Sequence, residues 1–204
     1  MLATSLQKAD VKAPMQTVGS LSALDAILDE AVDGVLLKRQ MPSTVRASLN
    51  ALPLDNERSV RFFAAPEQVI GFLEALFAEW GMGGGAALSW IAEDAQTLAA
   101  QFAHTLSVAR VHVRVDVVKG DACRKFHRDA MRARLICTYR GPGTEYGIAD
   151  ECCDPRHVEV TPTGCPILLK GKGWTEARVP ALVHRSPPIE GTGMSRLVVV
   201  IDEG

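Results

Sequence analysis

The feature that most restricts the possible folds is a change of hydrophobic period near residue 108. Before it, apolar residues recur at helical spacing. After it, Val111-His112-Val113-Arg114-Val115-Asp116-Val117 alternates strictly, as in a strand with one apolar face. Leu21, Leu24, Ile27, Leu28 and Val32 form a helical stripe behind Ser20, a predicted N-cap. Val69, Ile70, Leu73, Leu76 and Phe77 form a second, opened by Pro66 and stopped by Gly81 and the run Gly83-Gly84-Gly85. Leu88, Ile91, Ala95, Leu98 and Phe102 line a third, predicted over residues 87–105. Short extended pieces are expected at 35–38 and 59–63. The glycine run has no Lys-Ser/Thr behind it, so it reads as a connection and not as a phosphate cradle.

Beyond the switch, strands are predicted at 111–117, 134–140, 158–160, 167–169, 177–183 and 196–201. The last is apolar on both faces, as a central strand must be. Short strands parted by Gly/Pro turns fit a sandwich or barrel better than βαβ units. The expectation is an α+β chain, with a mainly helical part over residues 1–108 packed on a β unit over 109–204. A length of 204 residues with 47% hydrophobic content allows a core without staples. A net charge of −2 and 5% aromatic residues argue against nucleic-acid or anionic-lipid partners. No apolar run reaches the length of a membrane span, and the N-terminus lacks the pattern of a signal peptide. The cysteine count of five is odd, which favours a reduced, cytoplasmic protein.

The strongest chemical signal is Phe126-His127-Arg128-Asp129. In an extended segment residues i and i+2 point the same way, so imidazole and carboxylate converge. His184 follows a predicted strand. Two histidines and a carboxylate on one face of a metal leave three positions open, the arrangement of non-haem Fe(II) oxygenases. Arg196 opens the last strand, where a guanidinium can bind a dicarboxylate through a bidentate fork while a keto acid at the other end chelates the iron. Plainer readings stand beside these. His127 and Asp129 also fit a surface ion pair with Arg128 and Arg132, and His184 a turn ahead of Pro187-Pro188. A buried Arg196 needs a partner, with Asp116 and Glu145 as the acidic alternatives. His112, Arg114 and Asp116 share a strand face that either lines a polar interior or meets solvent.

A rival metal site is written in Cys123-x-x-x-His127 and Cys153-x-x-x-His157, with Cys152 and Cys165 nearby. Thiolate and imidazole together favour zinc. Alternatively Cys123, Cys137 and Cys165 are small buried hydrophobes.

The run of His127-x-Asp129, Arg134 through Tyr139, Gly143-Thr144-Glu145, and then His184 and Arg196 resembles the Fe(II)/2-oxoglutarate-dependent oxygenase superfamily, in its prolyl-hydroxylase-like branch. The likeness covers residues 110–202. It implies a double-stranded β-helix, a jelly-roll or cupin-like barrel, with N-terminal supporting helices. It implies His127, Asp129 and His184 as iron ligands and catalytic centre, and Arg196 as the partner of the distal carboxylate of 2-oxoglutarate, with Tyr139 sharing that carboxylate. One departure is plain: the family often has Ser or Thr two residues after the arginine, where this chain has Val198. The whole chain is also similar to an uncharacterised bacterial family of unknown function. The expected activity is that of an Fe(II)/2-oxoglutarate-dependent hydroxylase whose substrate is not legible. The alternatives are a non-enzymatic zinc-binding or metal-sensing cupin-like protein and a lapsed enzyme that still binds a small carboxylate.

Overall fold

The alternation that starts at Val111 gives that strand one face in the helix-side core and one polar, half-buried face. The structure is a computed structural model and describes residues 13–54, 56–82, 85–150 and 154–204. Its strands are β1 (Met15–Val18), β2 (Gly34–Leu37), β3 (Arg58–Ala64), β4 (Val111–Val118), β5 (Ala133–Arg140), β6 (Glu145–Ile148), β7 (Glu159–Val160), β8 (Ile167–Lys170), β9 (Leu182–Arg185) and β10 (Arg196–Glu203). The α-helices are α1 (Ser43–Ala51), α2 (Val69–Glu79) and α3 (Ala86–Leu106). A seven-stranded sheet runs in the order β1-β2-β8-β5-β10-β4-β3, antiparallel except for the β1–β2 pair. A three-stranded antiparallel sheet runs β7-β6-β9.

The period-two pattern decides which residues face which core. Val111, Val113, Val115 and Val117 of β4 join Leu197, Val199 and Ile201 of β10 and Leu135, Cys137 and Tyr139 of β5. Against them lies the inner stripe of α3, with Ile91, Ala95, Leu98 and Phe102 all fully buried. On the other face, Ile136, Ile167, Leu169, Val198 and Val200 pack with Tyr146 and Leu182 of the small sheet. The central strand β10 is therefore apolar on both faces, as its sequence predicts. Its neighbours β4 and β5 have one face for the helices and one for the space between the sheets.

Residue 108, where the hydrophobic period changes, lies between α3 and β4. However, the first part of the chain is not only a helical support, because β1, β2 and β3 are strands of the seven-stranded sheet. The helix expected after Ser20 is a 3-10 helix, Leu21–Leu28, and the Ser20 side chain makes no cap hydrogen bond. Residues 177–181 are not a strand, and β9 starts only at Leu182. Helix α1 and strands β1 and β6 escape the sequence pattern because they are short. The α1 helix buries only Val45 and Leu49, too few to declare a period. No helix among the described residues is long and apolar enough to cross a membrane.

Where β5 turns into β6, the backbone passes close to the segment ahead of β8. A Cβ on Gly143 would sit 1.8 Å from the carbonyl oxygen of Thr161. Backbone cannot yield as a flexible side chain does, so Gly143→Ala should lose at least about 2 kcal/mol in urea unfolding. Gly71 on the exposed face of α2 has nothing within 4 Å of such a Cβ. There the same substitution should gain about 0.5–1 kcal/mol by reducing unfolded-chain entropy.

Candidate metal centre

The site is built by a short piece of backbone pairing. His127 and His184 form an isolated antiparallel bridge. Each amide donates to the other's carbonyl at 3.0 Å. That fixes the segment at residue 127 beside β9 and brings the two imidazoles to a centroid separation of 4.5 Å. Alternation does the rest. Asp129 turns to the same side as His127, while Arg128 turns away and donates to the carbonyls of Pro180, Ala149 and Ala181. Arg128 thereby staples this segment to the approach to β9.

His127, Asp129 and His184 each offer a ligand atom, and these atoms lie within 4.8 Å of one another. Asp129 Oδ1 is 3.8 Å from His127 Nε2, and Asp129 Oδ2 is 3.3 Å from His184 Nε2. The His127 Nδ1–H donates to the Lys125 carbonyl at 2.9 Å, which orients the ring with Nε2 toward the carboxylate. Burial drives the His184 imidazole down to a pKa of about 3, and the nearby His127 and the Arg134 guanidinium add to the effect. Burial thus keeps the His184 ring neutral, the form that binds metal.

The carboxylate between them is held from one side only. Arg134 donates to Asp129 Oδ1 through Nη1, while its Nε and Nη2 grip both oxygens of Asp202 at 2.7 Å each. Burial opposes the charge on Arg134, but the hydrogen bonds to Asp202 and the attraction of Asp202 and Asp129 raise its pKa above the ordinary value. Asp129 Oδ2 is buried and accepts no hydrogen bond. Leaving a buried carboxylate oxygen bare costs on the order of 1–3 kcal/mol or more. A divalent cation held by His127, Asp129 and His184 would remove that cost. The donor set, two imidazoles and one carboxylate, fits a first-row metal such as Fe(II).

Arg196 is the other pole of the same cavity, a space of about 120 Å³ that also touches His127, His184, Arg134 and Val198. Its side chain is buried. Its Nε donates to the Pro142 carbonyl at 2.8 Å and its Nη2 to the Thr138 hydroxyl at 3.2 Å. Neither acidic partner weighed from sequence forms an ion pair with it. Asp116 lies 3.0 Å from Arg114, and Glu145 is bound by Arg185 at 2.6 Å. Burial lowers the Arg196 pKa to about 10, and the more distant Asp116 and Glu145 oppose the shift. It therefore stays charged at neutral pH with no counter-ion among the described residues.

Tyr139 is not part of this cavity. It lies one residue out of phase with Arg134, Ile136 and Thr138, so it enters the helix-side core, where its hydroxyl donates to Asp94 at 2.6 Å. The hydroxyl that does reach Arg196 is that of Thr138, directly across the ladder from Val198. The same alternation argument, applied to residues 134–140, would have found Thr138 and rejected Tyr139. Arg134 was visible only as part of a motif. Its role as the anchor of Asp129 required the tertiary fold.

The thiol–imidazole alternative gains no ligand group among the described residues. Cys165 is buried, accepting the Arg39 amide at 3.5 Å and donating to the Arg39 carbonyl at 3.2 Å. Cys123 is exposed at the rim of the cavity and His157 is exposed elsewhere, and neither joins a cluster with Cys165. Cys152 and Cys153 lie outside the described residues.

The family model "Protein of unknown function (DUF1826)" matches residues 19–202. The chain belongs to that family. No curated protein matches this DUF1826 member. Solved structures do. A rice dioxygenase for auxin oxidation aligns over 94% of this chain and 82% of its own at 10% identity, with a TM-score of 0.51. The dioxygenase for auxin oxidation 1 from Arabidopsis thaliana, solved with 2-oxoglutarate, aligns over 94% and 92% at 13% identity, with a TM-score of 0.50. A prolyl-4-hydroxylase from Pseudomonas putida aligns over 91% and 100% at 12% identity, with a TM-score of 0.48. At such identities the likeness is one of fold. This mixed α/β chain with its large, mostly antiparallel sheet resembles the 2-oxoglutarate oxygenase fold.

The depressed pKa of His184 has a consequence for stability. The folded state keeps this ring neutral down to about pH 3, whereas an unfolded histidine takes up its proton near 6.5. Between those values the unfolded state binds more protons, so stability falls as the pH falls. In chelator-treated protein the slope contributed by this residue should approach about 1.4 kcal/mol per pH unit. Urea unfolding of the wild type and His184→Gln at pH 7, 6, 5 and 4 measures it. A variant with the same pH dependence as the wild type would refute the assignment.

Proposed function

We propose that the chain is a non-haem Fe(II)/2-oxoglutarate-dependent oxygenase, a hydroxylase, built on a double-stranded β-helix. The observation that carries this reading is the bare, buried Oδ2 of Asp129 beside His184, in a cluster with His127, and a small cavity that reaches from both histidines to Arg196, which has no counter-ion among the described residues. His127, Asp129 and His184 would hold the iron. With iron bound, dioxygen would be the oxidant: one of its atoms would enter a substrate C–H bond as hydroxyl, and the other would enter 2-oxoglutarate as it is oxidised to succinate and CO2.

The chain's own residues do the rest. Arg134 holds Asp129 by one oxygen and so directs the other at the metal position, a role that second-sphere groups play in metal sites. The His127–His184 backbone bridge makes the separation of the two imidazoles a property of the sheet and not of side-chain rotamers. At the far end, Arg196 offers a guanidinium with Nη1 unbonded and aligned by Pro142 and Thr138. The distal carboxylate of a five-carbon keto diacid fits this charge, and the cavity of about 120 Å³ suits a small metabolite and no larger ligand. Thr138 takes the place of the hydroxyl that the resemblance expects at Val198, reaching the same guanidinium from the neighbouring strand.

Anaerobic titration with Fe(II) and 2-oxoglutarate tests the reading. A visible charge-transfer band should develop in the wild type and be absent in His184→Ala. Charge-assisted hydrogen bonds contribute about 1.5–3 kcal/mol, so Arg196→Gln should weaken 2-oxoglutarate binding by about 10- to 100-fold with iron affinity unchanged. Thr138→Val should weaken it by about fivefold, as expected for one neutral hydrogen bond of about 1 kcal/mol. Iron binding that is intact with no band and no 2-oxoglutarate affinity would remove the co-substrate from the mechanism.

A further inference from the structure

Outside the metal cavity, a second and wider recess of about 620 Å³ opens along β3 and β4. The two spaces share a wall: Arg114 and Asp116 line both. The small sheet is only three strands wide, and the facing positions of β3 and β4 form the floor of this outer recess. In that floor Arg61 stands directly across the antiparallel ladder from Arg114. Like charges so placed repel and destabilise a sheet pair.

Their surroundings offset the charge only in part. Arg61 is exposed and makes no hydrogen bond or ion pair with the described residues. Arg114 has Asp116 Oδ2 3.0 Å from its Nε, yet the contact is out of line and Nε is a buried donor with no hydrogen bond. Asp116 is also shared, accepting the Ser59 hydroxyl at 2.7 Å. Of the other carboxylates that line the recess, those of Glu57 and Asp121 are committed to backbone, and Glu190 lines it as well. Glu57 accepts the amides of residues 119 and 120 at 2.9 Å, and Asp121 those of residues 189 and 190 at 2.8 and 3.0 Å. Two guanidiniums thus face the recess with one misaligned carboxylate between them, at the threshold of the metal cavity.

We infer that Arg61 and Arg114 form an oxyanion-binding fork that anchors an acidic substrate at the mouth of the site. The inference rests on the oxygenase reading for the word substrate, but the anion site itself does not. Guanidiniums bind carboxylate and phosphate alike by parallel N–H bonds. Arg196 takes the co-substrate inside; the Arg61–Arg114 pair takes the anionic end of the second ligand outside. The substrate class is then a small acid, carboxylated or phosphorylated, whose reactive carbon lies inward of its anion.

Calorimetric titration at low ionic strength with inorganic phosphate, and separately with acetate, tests the fork and tells the two kinds of acid apart. One of the two should bind the wild type saturably. Arg61→Gln and Arg114→Gln should each weaken that binding at least tenfold, while in Arg61→Gln the 2-oxoglutarate affinity in the presence of metal stays within twofold of the wild type. Arg61 is exposed on an edge strand, so its variant folds and carries the test if Arg114→Gln does not. The fork is overturned if neither anion binds, if binding survives Arg61→Gln, or if only Arg196→Gln abolishes it. Failure of the wild type to bind 2-oxoglutarate would strike the oxygenase reading alone and leave the phosphate and acetate results to decide the fork.

Discussion

The arrangement depends on one buried carboxylate. Asp129 has one oxygen engaged by Arg134 and the other left bare. A charge in such a place is tolerated only when it is paired. Arg134 does the pairing because its own charge is shared with Asp202, its direct cross-strand partner on β10. The chain Asp202–Arg134–Asp129 therefore connects the centre of the large sheet to the segment that bears the first histidine. The bare oxygen is the part of this chain that no group among the described residues satisfies, and it lies 3.3 Å from His184 Nε2.

The two faces of the large sheet divide the work of stability and chemistry. Toward the helices, β4, β5 and β10 present Val, Leu and Ile, and even Tyr139 and Cys137 are enclosed there. Toward the small sheet, the same strands present Arg114, Asp116, Arg134, Thr138 and Arg196 among a smaller set of apolar residues. Buried polar groups are costly unless satisfied, so a face this polar needs internal pairing or ligands. Most of it is paired: Arg134 with Asp202, Arg185 with Glu145, Asp116 with Ser59. Among the described residues the groups left over are Asp129 Oδ2, Arg196 and Arg61, with Arg114 held only by its out-of-line contact with Asp116. They are arranged along a path from the metal position outward.

The comparison with known folds agrees with this division. The chain shares the shape of 2-oxoglutarate oxygenases at 10–13% identity, a level at which little beyond the pattern of faces is retained. What persists is a scaffold that can bury one side of a sheet and leave the other to chemistry.

The sequence by itself determined the elements with a strong period: α2 and α3 from their i, i+3, i+4 stripes, β4 from its alternation, β10 from its double-sided apolar run. It also placed His127 and Asp129 on one side of the chain, since i and i+2 in extended backbone leave no other choice. It did not determine α1, β1 or β6, whose few buried residues leave no period, and it misjudged Tyr139 because a motif was given more weight than strand parity. Only the tertiary structure decided that His184 pairs with His127, that Arg134 anchors Asp129, and that Asp116 and Glu145 leave Arg196 unpaired. Each of those depends on which strands are neighbours and in what register. Register is set by the packing of whole faces against the helices and the small sheet, and local sequence does not contain that information.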